Sequence, residues 1–299
     1  MHVYLNGRMV RHDRARVSID DAGFQHAVGL FETMAAYHGR VFRLDAHLDR
    51  LARSAEDLGL ARSVDRAKLR EAVERTLTHN KLERARVRLT ITAGQMSLLR
   101  ADDGKPARPT VLVVASGPTE YDPAYFEQGI TVLVASPAAN PFDPLSGHKT
   151  LSYWSRLRTL RQAAAAGAGE AIWLNVSNHL ASGAVSNLFL VKDGGLLTPF
   201  ARGEEVQGAL PAPVRPGVTR AAILQIAESD QVPVARRMLS VNDLLEADEA
   251  FLTNSSWGVL PVTKVEKKAV GSGKVGSITH QLRAALLDLI ERETTTSEG

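Results

Sequence analysis

Pro144-Leu-Ser-Gly-His-Lys-Thr-Leu-Ser-Tyr153 puts a lysine, Lys149, in an apolar, turn-rich setting where a solvated ammonium has little to gain. The chain holds nine lysines against 27 arginines, and most of the others sit among charged or turn residues, as in Glu266-Lys267-Lys268. A desolvated lysine has a larger neutral fraction, and a neutral amine can attack a carbonyl. The segment alone leaves a second reading open, a loop lysine whose stem lies on apolar surface. Its flanks speak to the fold. Upstream, Ile130-Thr-Val-Leu-Val-Ala135 reads as a strand; downstream, Trp154 to Ala166 reads as a helix and Ala171-Ile-Trp-Leu174 as another strand. Strand, loop, helix and strand in that order belong to an α/β chain.

Further out, Val3-Tyr-Leu-Asn-Gly-Arg-Met-Val10 is two short apolar runs around Asn6-Gly7, a strong hairpin signal. Leu44, Leu48, Leu51, Ala52, Ala55 and Leu58 recur at helical spacing, and so do Leu69, Val73 and Leu77. Val87, Leu89 and Ile91 alternate with Arg88, Thr90 and Thr92 as in a half-buried strand, and Thr110 to Ala115 is a fully apolar one. Gly117-Pro118 through Gly129 has turn residues and no clear period, so the expected organisation is an N-terminal α/β lobe over 1–117, a connection over 118–129 and a C-terminal lobe over 130–299. In that second lobe Leu188 to Val191, Leu196 to Pro199 and Glu249 to Thr253 read as strands, and Thr219 to Ser229 and Ile278 to Glu291 as helices. The tail Thr294 to Gly299 reads as irregular.

With 36 basic and 33 acidic residues well mixed along the chain, the net charge of +3 marks no nucleic-acid or polybasic membrane surface; a small anion is the better ligand. There is no cysteine, which excludes disulfides, thiolate metal sites and thiol nucleophiles. The first residues lack a charged start followed by an apolar run, and no stretch approaches the roughly 18 apolar residues of a membrane span. A cytoplasmic protein is expected.

Two strings are weak in their context. Gly271-Ser-Gly-Lys-Val-Gly276 matches the dinucleotide fingerprint, but the remaining 23 residues are too few for the rest of a βαβ unit. Ser146-Gly-His-Lys149 matches the Ser-x-x-Lys of penicillin-recognising serine hydrolases, which needs a helical turn where Pro144 and Gly147 argue for a loop. Other features combine better. Arg50 neighbours the apolar stripe of its helix and could fork onto a phosphate, although a pairing with Asp45 or Asp49 is the better reading of the helix alone. Pro216-Gly-Val-Thr-Arg220 starts a helix with the amides of Val218 and Thr219 free, and Thr253-Asn-Ser-Ser-Trp-Gly258 offers the hydroxyls of Ser255 and Ser256 after a strand. A carbonyl-seeking lysine, an arginine and two anion loops together ask for a phosphorylated aldehyde, pyridoxal 5'-phosphate.

The order of these motifs resembles the class IV, fold type IV pyridoxal-phosphate enzymes: branched-chain and D-amino-acid aminotransferases and aminodeoxychorismate lyases. The resemblance runs through Phe31-Glu-Thr33, His47-Leu-Asp-Arg50-Leu, Val87 to Gly94, His148 to Tyr153, Ser186 to Gly194, Pro216 to Arg220 and Phe251 to Ser256. It implies a small N-terminal α/β lobe, a larger C-terminal pseudo-barrel lobe and a homodimer. It also implies that Lys149 is the Schiff-base and proton-transfer residue, that Arg50, Val218, Thr219, Ser255 and Ser256 hold the phosphate, and that Tyr153 holds the cofactor's phenolic oxygen. Phe31 would line the substrate pocket and Arg88 take a substrate carboxylate. One departure stands out. Five residues before Asn187 the family places a glutamate on the pyridine nitrogen, and here that position is Ser182. A neutral hydroxyl cannot hold a pyridinium charge, so the ring becomes a weaker electron sink. The activity implied is transfer of an amino group between an amino acid and a 2-oxo acid. The alternatives are a lyase or other elimination enzyme, a protein that binds cofactor or metabolite without turnover, and the Ser146 hydrolase.

Overall fold

Asn6 and Gly7 both take positive φ, 48° and 90°, the geometry that lets two residues reverse a hairpin without splaying its strands. The computed structural model describes residues 1–61, 64–95, 109–136 and 138–295. The chain divides into two compact units, one made of Met1–Thr119, His148–Ser152 and Ile290–Gly299, the other of Glu120–Gly147 and Tyr153–Leu289.

In the first unit the hairpin strands β1 (His2–Leu5) and β2 (Arg8–Arg11) are followed by α1 (Ala22–His26), β3 (Gly29–Tyr37), β4 (Arg40–Val41), α2 (Leu44–Asp57), α3 (Arg66–Asn80), β5 (Ala85–Thr92) and β6 (Val111–Ser116). The strands form one antiparallel sheet in the order β2-β1-β6-β5-β3-β4. Its core is the alternation predicted for β5: Val87, Leu89 and Ile91 are buried against Leu48, Leu51 and Ala55 of α2 and Leu69, Val73 and Leu77 of α3. Burying each such leucine stabilises the fold by about 1.5–3 kcal/mol. The Asp65 carboxylate caps α3 by accepting the Lys68 N–H.

The second unit contains α4 (Ala124–Glu127), β7 (Ile130–Val134), α5 (Trp154–Ala165), β8 (Glu170–Leu174), β9 (Leu180–Gly183), β10 (Asn187–Lys192), β11 (Gly195–Thr198), α6 (Val218–Ser229), β12 (Val234–Arg236), α7 (Val241–Leu245), β13 (Glu249–Asn254), β14 (Gly258–Val265) and β15 (Lys268–Ala269). A last helix, α8 (Ser277–Thr294), begins here. Nine strands make a mixed sheet in the order β12-β11-β10-β13-β14-β7-β8-β9, with β15 on β14. Pairing is parallel at β11–β12, β14–β7 and β7–β8 and antiparallel elsewhere. Phe189 and Phe251, directly paired across β10 and β13, stack with ring centres 5.0 Å apart.

The connection expected without structure over 118–129 contains the single turn of α4. Of the tail, residues 296–299 lie outside the described residues, and α8 runs to Thr294. Among the described residues no helix is long and apolar enough to cross a membrane.

Candidate active site

Lys149 belongs to the first unit, where its own backbone fixes it. The Phe31 N–H donates to the Lys149 carbonyl at 2.9 Å, the Leu151 N–H donates to the Gly29 carbonyl at 2.9 Å, and Thr150 bridges to Leu30. The lysine therefore rides on the start of β3. Gly29 must be glycine there, since a Cβ would lie 2.6 Å from the Ile91 carbonyl and 2.7 Å from Leu151. Next to it, buried His148 is 3.0 Å from the Ser54 hydroxyl through Nδ1, tying the segment to α2. The half-buried Lys149 ammonium sits 4.1 Å from the centre of the Phe31 ring, and the Arg88 guanidinium carbon 3.8 Å from the same ring. Strand register explains the grouping: Phe31 pairs with Thr90 and Thr33 with Arg88, so these residues share the face of β3 and β5 that turns away from the core.

The intervening residue, Glu32, points the other way and meets α2. It accepts from Arg50 Nε at 2.8 Å and Nη2 at 2.6 Å, and from His47 Nδ1 at 2.9 Å, with all three residues buried. The two arginine bonds are a bidentate fork, the strong form of a carboxylate–guanidinium pair. Burial alone would raise the Glu32 carboxyl, but the Arg50 charge and the His47 hydrogen bond hold it well below the usual carboxylate range. Burial pushes His47 below its ordinary value, against the pull of Glu32. The alternative partners for Arg50 are taken: Asp45 pairs with Arg70 and Asp49 with Arg66. In the sequence Glu32 stands out only as part of a motif, and nothing there points to its orienting Arg50.

In the second unit Tyr153 precedes α5. Its hydroxyl accepts from Arg215 Nη2 at 3.1 Å and donates to the Ala184 carbonyl at 3.4 Å. Ser182, 4 % exposed, lies in β9 opposite Trp173 of β8. A cation stands beside it: Arg156 Nη1 is 3.4 Å from Ser182 Oγ, 3.1 Å from the Gly183 carbonyl and 3.2 Å from that of Ala184. Glu170 is fully buried, and its carboxylate accepts from the N–H groups of Ala171, Ala184 and Val185 and from the Ser186 hydroxyl. Burial raises its pKa, and those four bonds oppose the rise. Glu170 thus organises the turn between β9 and β10.

Asn187, at the start of β10, donates from Nδ2 to the Arg215 carbonyl at 2.9 Å and so holds the loop that leads into α6. Gly217 is the N-cap of that helix; no side chain caps it. The first-turn N–H groups, those of Val218 and Thr219 included, are left for an anion at the positive end of the helix. A Cβ on Gly217 would overlap the Asn187 amide oxygen. Gly217→Ala is therefore expected to cost about 1–3 kcal/mol of unfolding free energy in urea titration, and an unchanged midpoint would show that Asn187 gives way freely. In the turn after β13, Asn254 Oδ1 accepts from the Ser256 and Trp257 N–H groups, and Tyr121 donates its hydroxyl to Ser256 Oγ at 2.8 Å. Ser255 is half-buried in the same turn.

The structure thus groups Lys149, Phe31 and Arg88 on one face of the first unit, with Arg50 on the opposite side of β3. In the second it joins Tyr153 to the Ser182 turn and Asn187 to the loop before Val218. Ser146 and Lys149 are not on a helix; Ser146 lies in a turn and donates to the Asn140 carbonyl at 2.6 Å, so the helical spacing of a Ser-x-x-Lys site is missing. The Gly271 to Gly276 loop precedes α8, whose Ile278 and Thr279 N–H groups are already taken by the Glu249 carboxylate. Among the described residues no cluster suits a metal ion.

The sequence matches the class IV amino-transferase family over residues 29–265, and the chain belongs to that family. It is 31% identical over 290 residues to a putative branched-chain-amino-acid aminotransferase of Methanocaldococcus jannaschii, covering 97% of this chain and 96% of the relative. It is 29% identical to a D-alanine aminotransferase of Staphylococcus epidermidis, over 94% and 95% of the two chains. In three dimensions it resembles the branched-chain amino acid aminotransferase of Escherichia coli, with a TM-score of 0.88 at 29% identity over 100% of this chain and 97% of that one. It also resembles 4-amino-4-deoxychorismate lyase from Pseudomonas aeruginosa, with a TM-score of 0.81 at 29% identity over 96% and 98%. The mixed α/β fold is that of the type IV enzymes.

Pyridoxal 5'-phosphate is the cofactor of this family, and the residues present suit it. The lysine is pinned by its backbone, the α6 start lacks a side-chain cap and Gly217 has no room for a Cβ. The donor set is rich in hydroxyls and guanidinium groups. At Ser182, where the resemblance in sequence places an acid, a cation stands beside the hydroxyl.

Proposed function

We propose that this protein is a pyridoxal-phosphate-dependent aminotransferase that moves an amino group between an amino acid and a 2-oxo acid. The observation that carries the reading is Lys149, held by main-chain bonds on β3 beside Phe31 and Arg88. The cofactor, when bound, supplies an aldehyde and an electron-withdrawing ring. Lys149 Nζ would hold that aldehyde and, once the substrate's own amine takes its place there, would be free to carry the proton to and from the substrate α-carbon. Arg50, aimed by Glu32, binds the phosphate together with the Val218 and Thr219 amides and the Ser255 and Ser256 hydroxyls. Tyr121 supports the role of Ser256: by donating to its oxygen it leaves the hydroxyl hydrogen for an anion. Tyr153, whose hydroxyl accepts from Arg215 and donates to the Ala184 carbonyl, would turn that hydrogen to the cofactor's phenolic oxygen. Ser182 faces the ring nitrogen. Phe31 lines the substrate pocket, Arg88 takes the substrate carboxylate, and the working form is a homodimer.

The test is an absorption spectrum of the protein with pyridoxal phosphate, followed while amino acids of both hands are added one at a time. Conversion of the cofactor to its amine form by at least one of them supports transamination; an unreacted spectrum across the panel counts against it. A second reading is a lyase, favoured by Ser182 in place of an acid and by the likeness to the Pseudomonas lyase. Release of pyruvate with no amine form of the cofactor would select it.

A further inference from the structure

The proposed roles leave Arg156 unused, although the fold fixes it with care. It lies in the first turn of α5, and three acceptors hold one of its nitrogens: the Gly183 and Ala184 carbonyls and the Ser182 hydroxyl. Its guanidinium carbon is 5.0 Å from the centre of the Trp173 ring, and Trp173 is the cross-strand partner of Ser182. Trp173 is itself held by a bond from Nε1 to the Thr159 hydroxyl at 3.0 Å. Among the described residues no carboxylate forms a salt bridge with Arg156. The charged groups around it are Glu170, whose oxygens are engaged by four donors, and Arg215, which donates to the Tyr153 phenol. Burial first, and then the Arg215 charge, push Arg156 below the usual arginine range; a guanidinium nevertheless stays protonated in proteins.

Building on the proposed function, we infer that Arg156 acts through Ser182 as a positioning residue that keeps the nitrogen of the bound cofactor's ring unprotonated. A hydroxyl by itself can donate to a bare nitrogen or accept from a protonated one. A guanidinium has only donors, so Arg156 Nη1 occupies a lone pair of Ser182 Oγ and leaves the hydroxyl its hydrogen to give. That hydrogen now goes to the Gly183 carbonyl at 2.9 Å, an acceptor that Arg156 also serves, so it can be released to a nitrogen lone pair. Charge acts in the same direction, because a nearby cation disfavours the cationic form of a titrating group. Where the resemblance places an acid, this chain thus has a serine with a cation beside it, and the site is built for a weaker electron sink.

The test uses the full chain reconstituted with pyridoxal phosphate carrying nitrogen-15 in its ring, with the ring nitrogen resonance followed from about pH 6 to about pH 9. The inference expects the unprotonated resonance throughout for the wild type. Arg156→Gln should move the ring nitrogen's titration upward by about one pH unit or more, and Arg156→Gln combined with Ser182→Glu should give the protonated resonance at neutral pH. A protonated nitrogen in the wild-type holoenzyme overturns the inference and leaves the cofactor assignment standing, and so does a titration unmoved by Arg156→Gln. Failure of the wild type to bind the labelled cofactor overturns both. A protonated nitrogen in the wild type overturns the inference whether or not the variants fold.

Discussion

Lys149→Ala is expected to lower kcat/KM for amino transfer on the order of 10⁴-fold or more, while the protein stays folded. The effect is large because one amine is assigned both attachment to the cofactor and movement of the substrate proton, and these cannot be replaced separately. The fold should tolerate the change because the bonds that place residue 149 are main-chain ones: the Phe31 N–H to the Lys149 carbonyl, and the Leu151 N–H to the Gly29 carbonyl. Among its side-chain interactions is the cation beside the Phe31 ring, a contact worth about 0.5–1 kcal/mol at a partly exposed site. Circular dichroism and single-turnover kinetics on the same sample separate the two outcomes. A variant that retained a tenth of the wild-type rate would remove Lys149 from the chemistry.

Glu32→Ala should be the most damaging single change to stability, at about 3–5 kcal/mol, read from the urea midpoint. Glu32 is the anion bonded to both Arg50 and His47, and both stay buried when it is removed. A buried guanidinium without this carboxylate has given up water and lost the counter-charge that offset the cost. The same cluster sets the response to acid. The Glu32 carboxyl is held below its ordinary value of 4.5, so its stabilisation is present above that pH and is lost as the pH falls further. His47 is held below 6.5, so below that pH the unfolded chain takes up a proton that the folded state resists. Both act in one direction, and unfolding free energy should decline from about pH 6.5 downward. In Glu32→Ala the part of the decline below about pH 4.5 should be smaller. A wild-type protein equally stable at pH 7 and pH 4 would contradict this assignment.

The sequence carried the parts of the fold whose periodicity is simple. The alternation of Val87, Leu89 and Ile91 and the stripe of Leu44, Leu48 and Leu51 report one buried face each, and β5 and α2 appear where expected. Three of the strands it did not reveal hide the simple period. In β3 the buried run from Gly29 to Glu32 faces the core on one side and Arg88 and Lys149 on the other, with an ionised glutamate among the apolar residues, so no alternation survives. β14 contains Pro261, which cannot donate to a ladder; it pairs with Phe251 and is followed by a bulge between Val262 and Lys264. β9 is four small or buried residues, Leu180 to Gly183, too short to show a period.

The site divides in a similar way. Lys149 was legible because a lysine amid apolar and turn residues is locally odd. Arg156 was not, because beside Arg158 and Arg161 it looks like one of several arginines of an ordinary helix. Its partner, Ser182, is 26 residues away and joined to it only by the way β9 is placed. The one available signal was the missing acid at residue 182, which implied a change in the charge around it. Glu32 escaped notice for the same reason: β3 and α2 bring it to Arg50, 18 residues on, and no spacing rule connects them.

The central claim is that Lys149 carries pyridoxal phosphate, and reduction tests it most directly. The protein is incubated with the cofactor and treated with borohydride, which converts a carbon–nitrogen double bond to a stable single bond, and its peptides are then mapped by mass spectrometry. The expected product is a phosphopyridoxyl group on the peptide containing His148-Lys149-Thr150 and on no other lysine. A label on a different lysine, or an unlabelled protein at saturating cofactor, would contradict it.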